Sequence, residues 1–279
     1  MADDANAAAP AAPEGNPSTG TRGRGQEPIL TMRNISKAFG GLRALMGVDL
    51  DLYQGEVLAI VGDNGAGKST LIKVLTGVLT PDTGDITIEG EPVRIASRRH
   101  AMDAGIQAVY QNLGLVNSLP APANVFLGME LSTNILGLSV LDNKRMRRET
   151  EAILRDQVGV TIDDLDAPVR SFSGGQRQAV AIARAVYQSD LKVLVMDEPM
   201  AALGPEETRH TLELIEAIKA RGIAVILISH NLEHVFAVSD RVQVMRGGRR
   251  AGVVEVAKSS RQEVLGLIIG SDVPMGGAA

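Results

Sequence analysis

The sequence predicts an α/β fold built on a parallel β-sheet. Three apolar runs of strand length, at residues 56–61, 192–196 and 224–229, have the composition of strands that are buried on both faces. Between the second and the third run, residues 206–220 have helical periodicity, and a glycine follows at position 222. A strand, a helix and a strand in that order imply a parallel sheet with right-handed crossovers.

The composition excludes several classes of protein. The 279 residues contain 28 Lys and Arg against 33 Asp and Glu, a net charge of −5 that argues against nucleic acid as a partner. With no cysteine, the chain holds no disulfide, zinc finger or thiolate nucleophile. The apolar runs are shorter than the roughly 20 residues of a membrane helix, and the acidic start lacks the basic flank of a secretion signal. We therefore expect a cytoplasmic protein.

Changes in composition divide the chain. Residues 1–27 hold seven Ala, three Pro and four Gly but no Leu, Ile, Val or Phe, so we predict a disordered tail. Residues 29–36 and 48–53 are predicted as strands, with a turn after the second. The middle, at about 97–172, lacks long aliphatic runs and is predicted as a mainly α-helical subdomain inserted into the α/β core.

A glycine-rich segment that follows the first buried strand fits the pattern G-x-x-x-x-G-K-[ST]. Its glycines allow successive backbone amides to point at one phosphate chain, and the helix predicted at 69–77 adds its positive dipole. The lysine supplies a cation for the β- and γ-phosphates, and the serine hydroxyl can ligate Mg²⁺. A glycine-rich turn without function is the alternative. The segment and the first residues of the helix are Gly62, Asp63, Asn64, Gly65, Ala66, Gly67, Lys68, Ser69 and Thr70.

Two carboxylates end the second buried strand. At that position Asp197 and Glu198 face the ligand crevice of an open α/β sheet. Asp197 is expected to help hold the magnesium shell, and Glu198 to orient and deprotonate the attacking water. Taken alone, the pair could also belong to a surface turn.

A second candidate anion site precedes the helix predicted at 177–186. Ser173, Gly174, Gly175 and Gln176 combine a capping serine with two glycines, which is also compatible with a plain helix cap. This motif after a phosphate loop resembles the signature of ABC-type ATPases. The resemblance covers roughly residues 29–272, and we expect an ABC ATPase domain at 28–272. The resemblance implies a P-loop NTPase fold with an ABC-type ATPase core, ATP and Mg²⁺ as ligands, and a flexible tail at 273–279.

The resemblance also assigns roles to three further residues. Gln111 matches the glutamine that touches magnesium and senses the membrane partner, His230 the histidine at the γ-phosphate, and Phe39 the aromatic that stacks on adenine. The alternatives are a core position for Phe39 and a backbone-bonded loop position for Gln111. His230 and His234 also fit an inverted zinc-protease pattern, which requires both on one helix face.

In this family two copies form a head-to-tail dimer, with each ATP between one phosphate loop and the partner's Ser173–Gln176 motif. One departure concerns Gly204, since the family commonly has an aspartate there that helps communication across the dimer. The coupling between the two sites is the property that this glycine puts in question.

The sequence around Gln111 resembles monosaccharide importers, and the single phosphate loop resembles their single-domain, fructose-type subgroup. The resemblance implies membrane permease subunits, a sugar-binding protein and a peripheral position on the inner face of the cell membrane. Three alternatives remain: an ABC ATPase for an amino acid or a lipid, a soluble ABC-type module for DNA repair or translation, and a nucleotide-binding scaffold without hydrolysis.

Overall fold

A computed structural model describes residues 27–135, 138–188, 190–201 and 203–270. Apart from Glu27, the tail predicted at 1–27 lies outside the described residues, as does all of the tail predicted at 273–279.

The strands are short in the second half of the chain and longest at its start. They are β1 (Leu30–Phe39), β2 (Leu42–Leu52), β3 (Val57–Val61), β4 (Thr83–Ile88), β5 (Glu91–Pro92), β6 (Ile106–Val109), β7 (Ser132–Ile135), β8 (Leu138–Leu141), β9 (Val193–Asp197), β10 (Ala224–Ile228), β11 (Arg241–Arg246) and β12 (Arg249–Glu255).

The helices lie mostly between strands of the sheets. They are α1 (Lys68–Leu75), α2 (Arg98–Asp103), α3 (Ala121–Val125), α4 (Asn143–Ala152), α5 (Gly174–Gln188), α6 (Pro205–Ala220), α7 (Leu232–Val238) and α8 (Arg261–Ile269). A π-helical turn, Ile153–Val158, continues α4, and 3-10 turns occupy Val169–Ser171 and Val256–Lys258. Within the described ranges, none of these helices combines the length and the apolar character that a membrane span requires.

The central sheet has the strand order β12-β11-β3-β10-β9-β6. All of its pairings are parallel except that of β11 with β12, which confirms the α/β class and the parallel sheet. In β9, Val193 and Val195 face one hydrophobic core while Leu194 and Met196 face the other. The apolar run is uninterrupted because helices or a second sheet cover both faces.

A second, antiparallel sheet has the order β2-β1-β4-β5. The strands predicted at 29–36 and 48–53 are the outer parts of a longer hairpin, β1 and β2, that turns between Phe39 and Leu42. Helix α1 packs between the two sheets, since Ile72 shares a core with Leu50 of the antiparallel sheet and Ile60 of the central sheet.

The predicted subdomain at 97–172 overlaps the central sheet. Strand β6 lies inside this range and pairs in parallel with β9, so the segment that leaves the sheet begins only after Val109. It contains α3, α4 and the β7–β8 hairpin before the chain enters α5. Gly105 and the half-exposed Gln107 interrupt the apolar pattern that would have identified β6 in the sequence.

A buried ion pair joins two neighbouring strands at their amino ends. Arg241 Nη1 of β11 lies 3.2 Å from Glu56 Oε1, just before β3, and the side chains are 3% and 0% exposed. The backbone amide of Tyr53 donates to the same carboxylate at 2.9 Å, and the guanidinium lies over the Tyr53 ring. The two charges are therefore compensated within the protein, as buried charges must be.

Replacing Arg241 with methionine should destabilise the fold by about 3–5 kcal/mol, because it leaves the Glu56 carboxylate buried without the guanidinium. Denaturant unfolding followed by circular dichroism measures the change. Arg209→Met, which breaks the exposed pair with Glu213, is the matched control and should change stability little. Equal losses in the two variants would contradict a stabilising role for the buried pair.

Candidate functional site

The phosphate loop, defined as Gly62–Ser69, connects the end of β3 to α1. Two of its glycines are required by close backbone contacts. A Cβ on Gly62 would lie 2.1 Å from the Met245 carbonyl oxygen, and one on Gly67 would lie 2.7 Å from that of Ala44. Both glycines have positive φ angles, 146° and 101°, which L-residues rarely adopt. Strands β2 and β11 thus hold the loop in place from the side.

The ammonium group of Lys68 lies against the loop itself. Its Nζ donates to the carbonyl oxygens of Gly62 at 2.7 Å and Asp63 at 3.0 Å. Helix α1 begins at this lysine, so the amides of Lys68, Ser69 and Thr70 belong to its first turn and have no intrahelical acceptors. Amides, dipole and cation converge as a phosphate site requires.

The carboxyl ends of four adjacent parallel strands meet beside this loop, in the order β3, β10, β9 and β6. The phosphate loop follows β3, His230 follows β10, Asp197 ends β9 and Gln111 follows β6. The structure therefore brings these predicted residues to one edge of the sheet, which is where open α/β sheets bind ligands.

Glu198 contacts His230 directly. The imidazole Nδ1 lies 2.9 Å from Glu198 Oε1, and the backbone amide of Glu198 donates to the Ile228 carbonyl oxygen at 3.0 Å. Glu198 has a positive φ angle of 51°, so its side chain leaves the strand direction that Asp197 follows. The histidine side chain is 76% exposed and the glutamate 24%, which leaves the pair accessible from solvent.

Asp197 has the properties of a cation ligand. Burial raises the pKa of this carboxyl group, and the neighbouring charge of Glu198 raises it further. The positive charges of Lys68 and Lys73 oppose the rise. A divalent cation would offset both the burial of the Asp197 carboxylate and its repulsion by Glu198. The hydroxyl of Ser69, the carboxylate of Asp197 and the amide of Gln111 supply the hard oxygen donors that Mg²⁺ prefers.

Phe39 lies at the tip of the β1–β2 hairpin and is 45% exposed, so it is not a core residue. The ammonium of Lys37 lies 5.9 Å from the centre of its ring. An exposed aromatic face next to a cation can stack on a planar base.

The signature cap, defined as Ser173, Gly174, Gly175 and Gln176, forms a capping box at the start of α5. Gln176 N donates to Ser173 Oγ at 3.2 Å, and Ser173 N donates to Gln176 Oε1 at 3.0 Å. This reciprocal pair explains the Ser-x-x-Gln spacing. A Cβ on Gly174 would lie 2.8 Å from Leu203 Cδ2, so a side chain there would require Leu203, in the segment that follows Glu198, to move.

Sequence reasoning missed Glu207. Its carboxylate accepts from the backbone amides of Gly174 at 2.9 Å and Gly204 at 3.3 Å, and these bonds lower its pKa. The signal was a glutamate three residues after Gly204, the residue that precedes α6, as in a capping box. The backbone at Gly204, where the resemblance leads us to expect an aspartate, is thus held by the Glu207 carboxylate from the first turn of α6.

His230 and His234 do not share a helix. His230 precedes α7, which Asn231 caps by accepting from Glu233 N at 2.9 Å, and His234 lies inside it. This geometry disagrees with the inverted zinc-protease pattern, whose two histidines lie one turn apart on the same helix.

A cavity of about 390 Å³ lies beside the residues that follow Gln111, between α2, β6 and α5. Its polar lining includes Arg98, Gln107, Asn112 and Arg184, and no Asp or Glu among the described residues lines it. The Gln107 Nε2 atom is buried and has no hydrogen-bond partner in the part of the chain that the structure describes. The charged side chains that line the cavity, Arg98 and Arg184, are therefore both cationic.

Comparison with known proteins agrees with this geometry. A family model described as ABC transporter matches residues 45–201. The fructose import ATP-binding protein of Rhizobium meliloti is 44% identical over 252 residues, which are 89% of this chain and 96% of that protein. The xylose/arabinose import ATP-binding protein of Sulfolobus acidocaldarius is 43% identical over 221 residues, 79% of this chain and 86% of that protein.

Among solved structures, a component of an ABC transporter complex from Clostridium perfringens has a TM-score of 0.71 at 27% identity. The match covers 89% of this chain and 97% of that one. The family predicted from the order of the motifs is confirmed, and the chain belongs to the ATP-binding ATPases of ABC transporters.

Proposed function

We propose that this protein hydrolyses ATP to drive the import of a monosaccharide through partner permease subunits. The contact of Glu198 with His230, at the strand ends beside Lys68, carries the chemical part of this proposal. The similarity to fructose and xylose/arabinose import proteins over most of their lengths supports the substrate class.

In the proposed reaction the phosphate chain of ATP binds along the loop amides of Gly62–Ser69 and the first turn of α1. Lys68 exchanges its bonds to the loop carbonyls for bonds to the β- and γ-phosphates. Phe39 stacks on the adenine. Mg²⁺, held by Ser69, Gln111 and Asp197, would neutralise charge on the phosphates.

Glu198 then accepts the proton of the attacking water, whose oxygen bonds to the γ-phosphorus while the bond to the β,γ-bridging oxygen breaks, so that ADP leaves and phosphate forms. His230 fixes the orientation of the Glu198 carboxylate through the 2.9 Å contact, and the proposed role of its ring is to contact the γ-phosphate. The left-handed backbone at Glu198 turns its side chain away from the strand direction and toward His230.

A second copy of the chain completes each site in this proposal. The signature cap presents the exposed Ser173 at the N-terminus of α5, which is where a head-to-tail dimer would place an anion. The solvent exposure of His230 supports the same arrangement, because a partner has to cover it before water access can be controlled.

The permease subunits are proposed to contact the cavity beside the glutamine loop, defined as residues 110–116. Its donor-rich lining without carboxylates fits an acidic segment of a partner. The protein would then lie peripherally on the inner, cytoplasmic face of the membrane, and a separate sugar-binding protein would deliver the substrate.

Glu198→Gln should lower the ATPase rate by about 10²–10⁴-fold, because the amide keeps the shape but cannot accept the proton. ATP binding should persist, since the loop amides and Lys68 are unchanged. The variant should elute as a dimer with Mg-ATP in size-exclusion chromatography, whereas the wild type should elute mostly as a monomer. An ATPase rate within about threefold of wild type would exclude Glu198 as the base.

Lys68→Ala should have the opposite effect on binding. Loss of the cation at the phosphates should weaken nucleotide affinity and abolish the ATP-dependent dimer. Isothermal titration with a non-hydrolysable ATP analogue measures the affinity, with Lys144→Ala on the exposed face of α4 as the control. An unchanged affinity in Lys68→Ala would contradict the proposed phosphate site.

Deletion of the gene should abolish uptake of one five- or six-carbon sugar and leave uptake of amino acids and lipids intact. Transport assays with labelled substrates measure this, and the wild-type gene supplied in trans should restore uptake while the Glu198→Gln gene should not. Normal uptake of every monosaccharide tested, with loss of amino-acid or lipid transport, would refute the sugar assignment and retain the ATPase.

A further inference from the structure

Helix α5 carries Arg184, whose guanidinium lies at the glutamine loop. It is partly buried, and burial lowers its pKa. Within the described ranges no carboxylate forms an ion pair with it. Burying a cation in this way costs free energy unless strong hydrogen bonds compensate.

Those hydrogen bonds go to the glutamine loop. Arg184 Nη1 donates to the Gly114 carbonyl oxygen and Nη2 to that of Leu113, each at 2.9 Å. The planar fork of arginine matches two adjacent carbonyls, and the ammonium of a lysine cannot donate to both in the same geometry. The contact lies two to three residues after Gln111.

The loop has other hydrogen bonds near this contact. One residue before Gln111, the Tyr110 hydroxyl lies 3.2 Å from Thr76 Oγ1, at the end of α1. Asn112 Oδ1 accepts from Gly114 N at 3.2 Å, which folds the turn on itself. The next hydrogen bond to the body of the protein is at Val116, whose backbone bonds to the fully buried Asn124. Between Gln111 and Val116, the Arg184 fork is therefore the side-chain hydrogen bonding that ties the described loop backbone to the body of the protein, while Leu113 and Leu115 pack against the core.

The same helix is tied to the segment that follows Glu198. Gln178 lies six residues before Arg184 on α5 and is 4% exposed. It donates through Nε2 to the Pro199 carbonyl oxygen. Thr211 Oγ1 lies 2.8 Å from Gln178 Oε1, so the amide is held from both ends. One helix thus contacts both the glutamine loop and the residue after the proposed base.

We propose that Arg184 is a positioning residue that fixes Gln111 relative to Glu198 through helix α5. The inference rests on the proposed function, in which Gln111 helps hold the magnesium and Glu198 takes the proton. Because α5 begins at the signature cap, a displacement of that cap also moves the Arg184 fork and, with it, the glutamine loop.

The test compares Arg184→Lys, which keeps the charge and loses the fork, with Arg209→Lys on the exposed face of α6 as the control. Hydrogen exchange in the full chain should show faster exchange at Gly114 and Val116 in Arg184→Lys only. The kcat for ATP should fall about tenfold or more while the KM for ATP stays within about twofold, since the phosphate loop is unchanged.

Gln111→Ala separates a positioning role from a structural one. If Arg184 acts through Gln111, adding Arg184→Lys to Gln111→Ala should cause no further loss of kcat. A further tenfold loss in the double variant, or unchanged hydrogen exchange in Arg184→Lys, would overturn the proposal. Should Arg184→Lys unfold at the assay temperature, Arg184→Gln, which retains one planar donor group, takes its place.

The two single variants distinguish a failure of the proposed function from a failure of the positioning role of Arg184. A normal rate for Gln111→Ala alone contradicts the role of Gln111 in the proposed function. A slow Gln111→Ala together with a normal Arg184→Lys contradicts only the role of Arg184.

Discussion

The parallel register of the central sheet brings the phosphate loop, Gln111, Asp197, Glu198 and His230 to one edge. Ile228 at the end of β10 pairs with Ile60 on one side and with Asp197 on the other. Three strands that are distant in sequence therefore end at the same level, and the loops that follow them share one crevice. A register shift of one residue in β9 would exchange its two faces and turn Asp197 away from that crevice.

The sheet register also explains which parts of the fold the sequence could predict. Strands β3, β9 and β10 are covered on both faces, so their composition alone identified them. Strand β11 was not predicted, because Arg241 and Gln243 are polar by composition yet 3% and 1% exposed. Their polar groups are satisfied by Glu56 and by the Asp49 carbonyl oxygen, partners that lie more than 180 residues earlier in the chain.

The candidate site likewise has parts that the sequence predicts and parts that it does not. The phosphate loop and the signature cap are local patterns in which spacing reflects backbone geometry, and both were predicted with their neighbouring elements. The contacts of Glu207 with Gly174 and of Arg184 with Gly114 join residues 33 and 70 positions apart. Neither contact is marked by a periodicity or a motif, because the first forms only when α5 and α6 pack and the second only when α5 packs against the glutamine loop. Sequence patterns therefore indicate which groups the site contains, and tertiary packing determines how they are held.

The backbone of Glu198 carries a further consequence, for the relation between stability and activity. A residue other than glycine at a φ of 51° costs about 1–3 kcal/mol of folding free energy. The hydrogen bond from the Glu198 backbone amide to the Ile228 carbonyl oxygen holds the backbone in that conformation whatever side chain the residue carries. A glycine would occupy this position without strain and with no carboxylate. Selection for thermal tolerance alone would thus favour losing the very group that the proposed chemistry requires, so stability and turnover oppose each other at this residue.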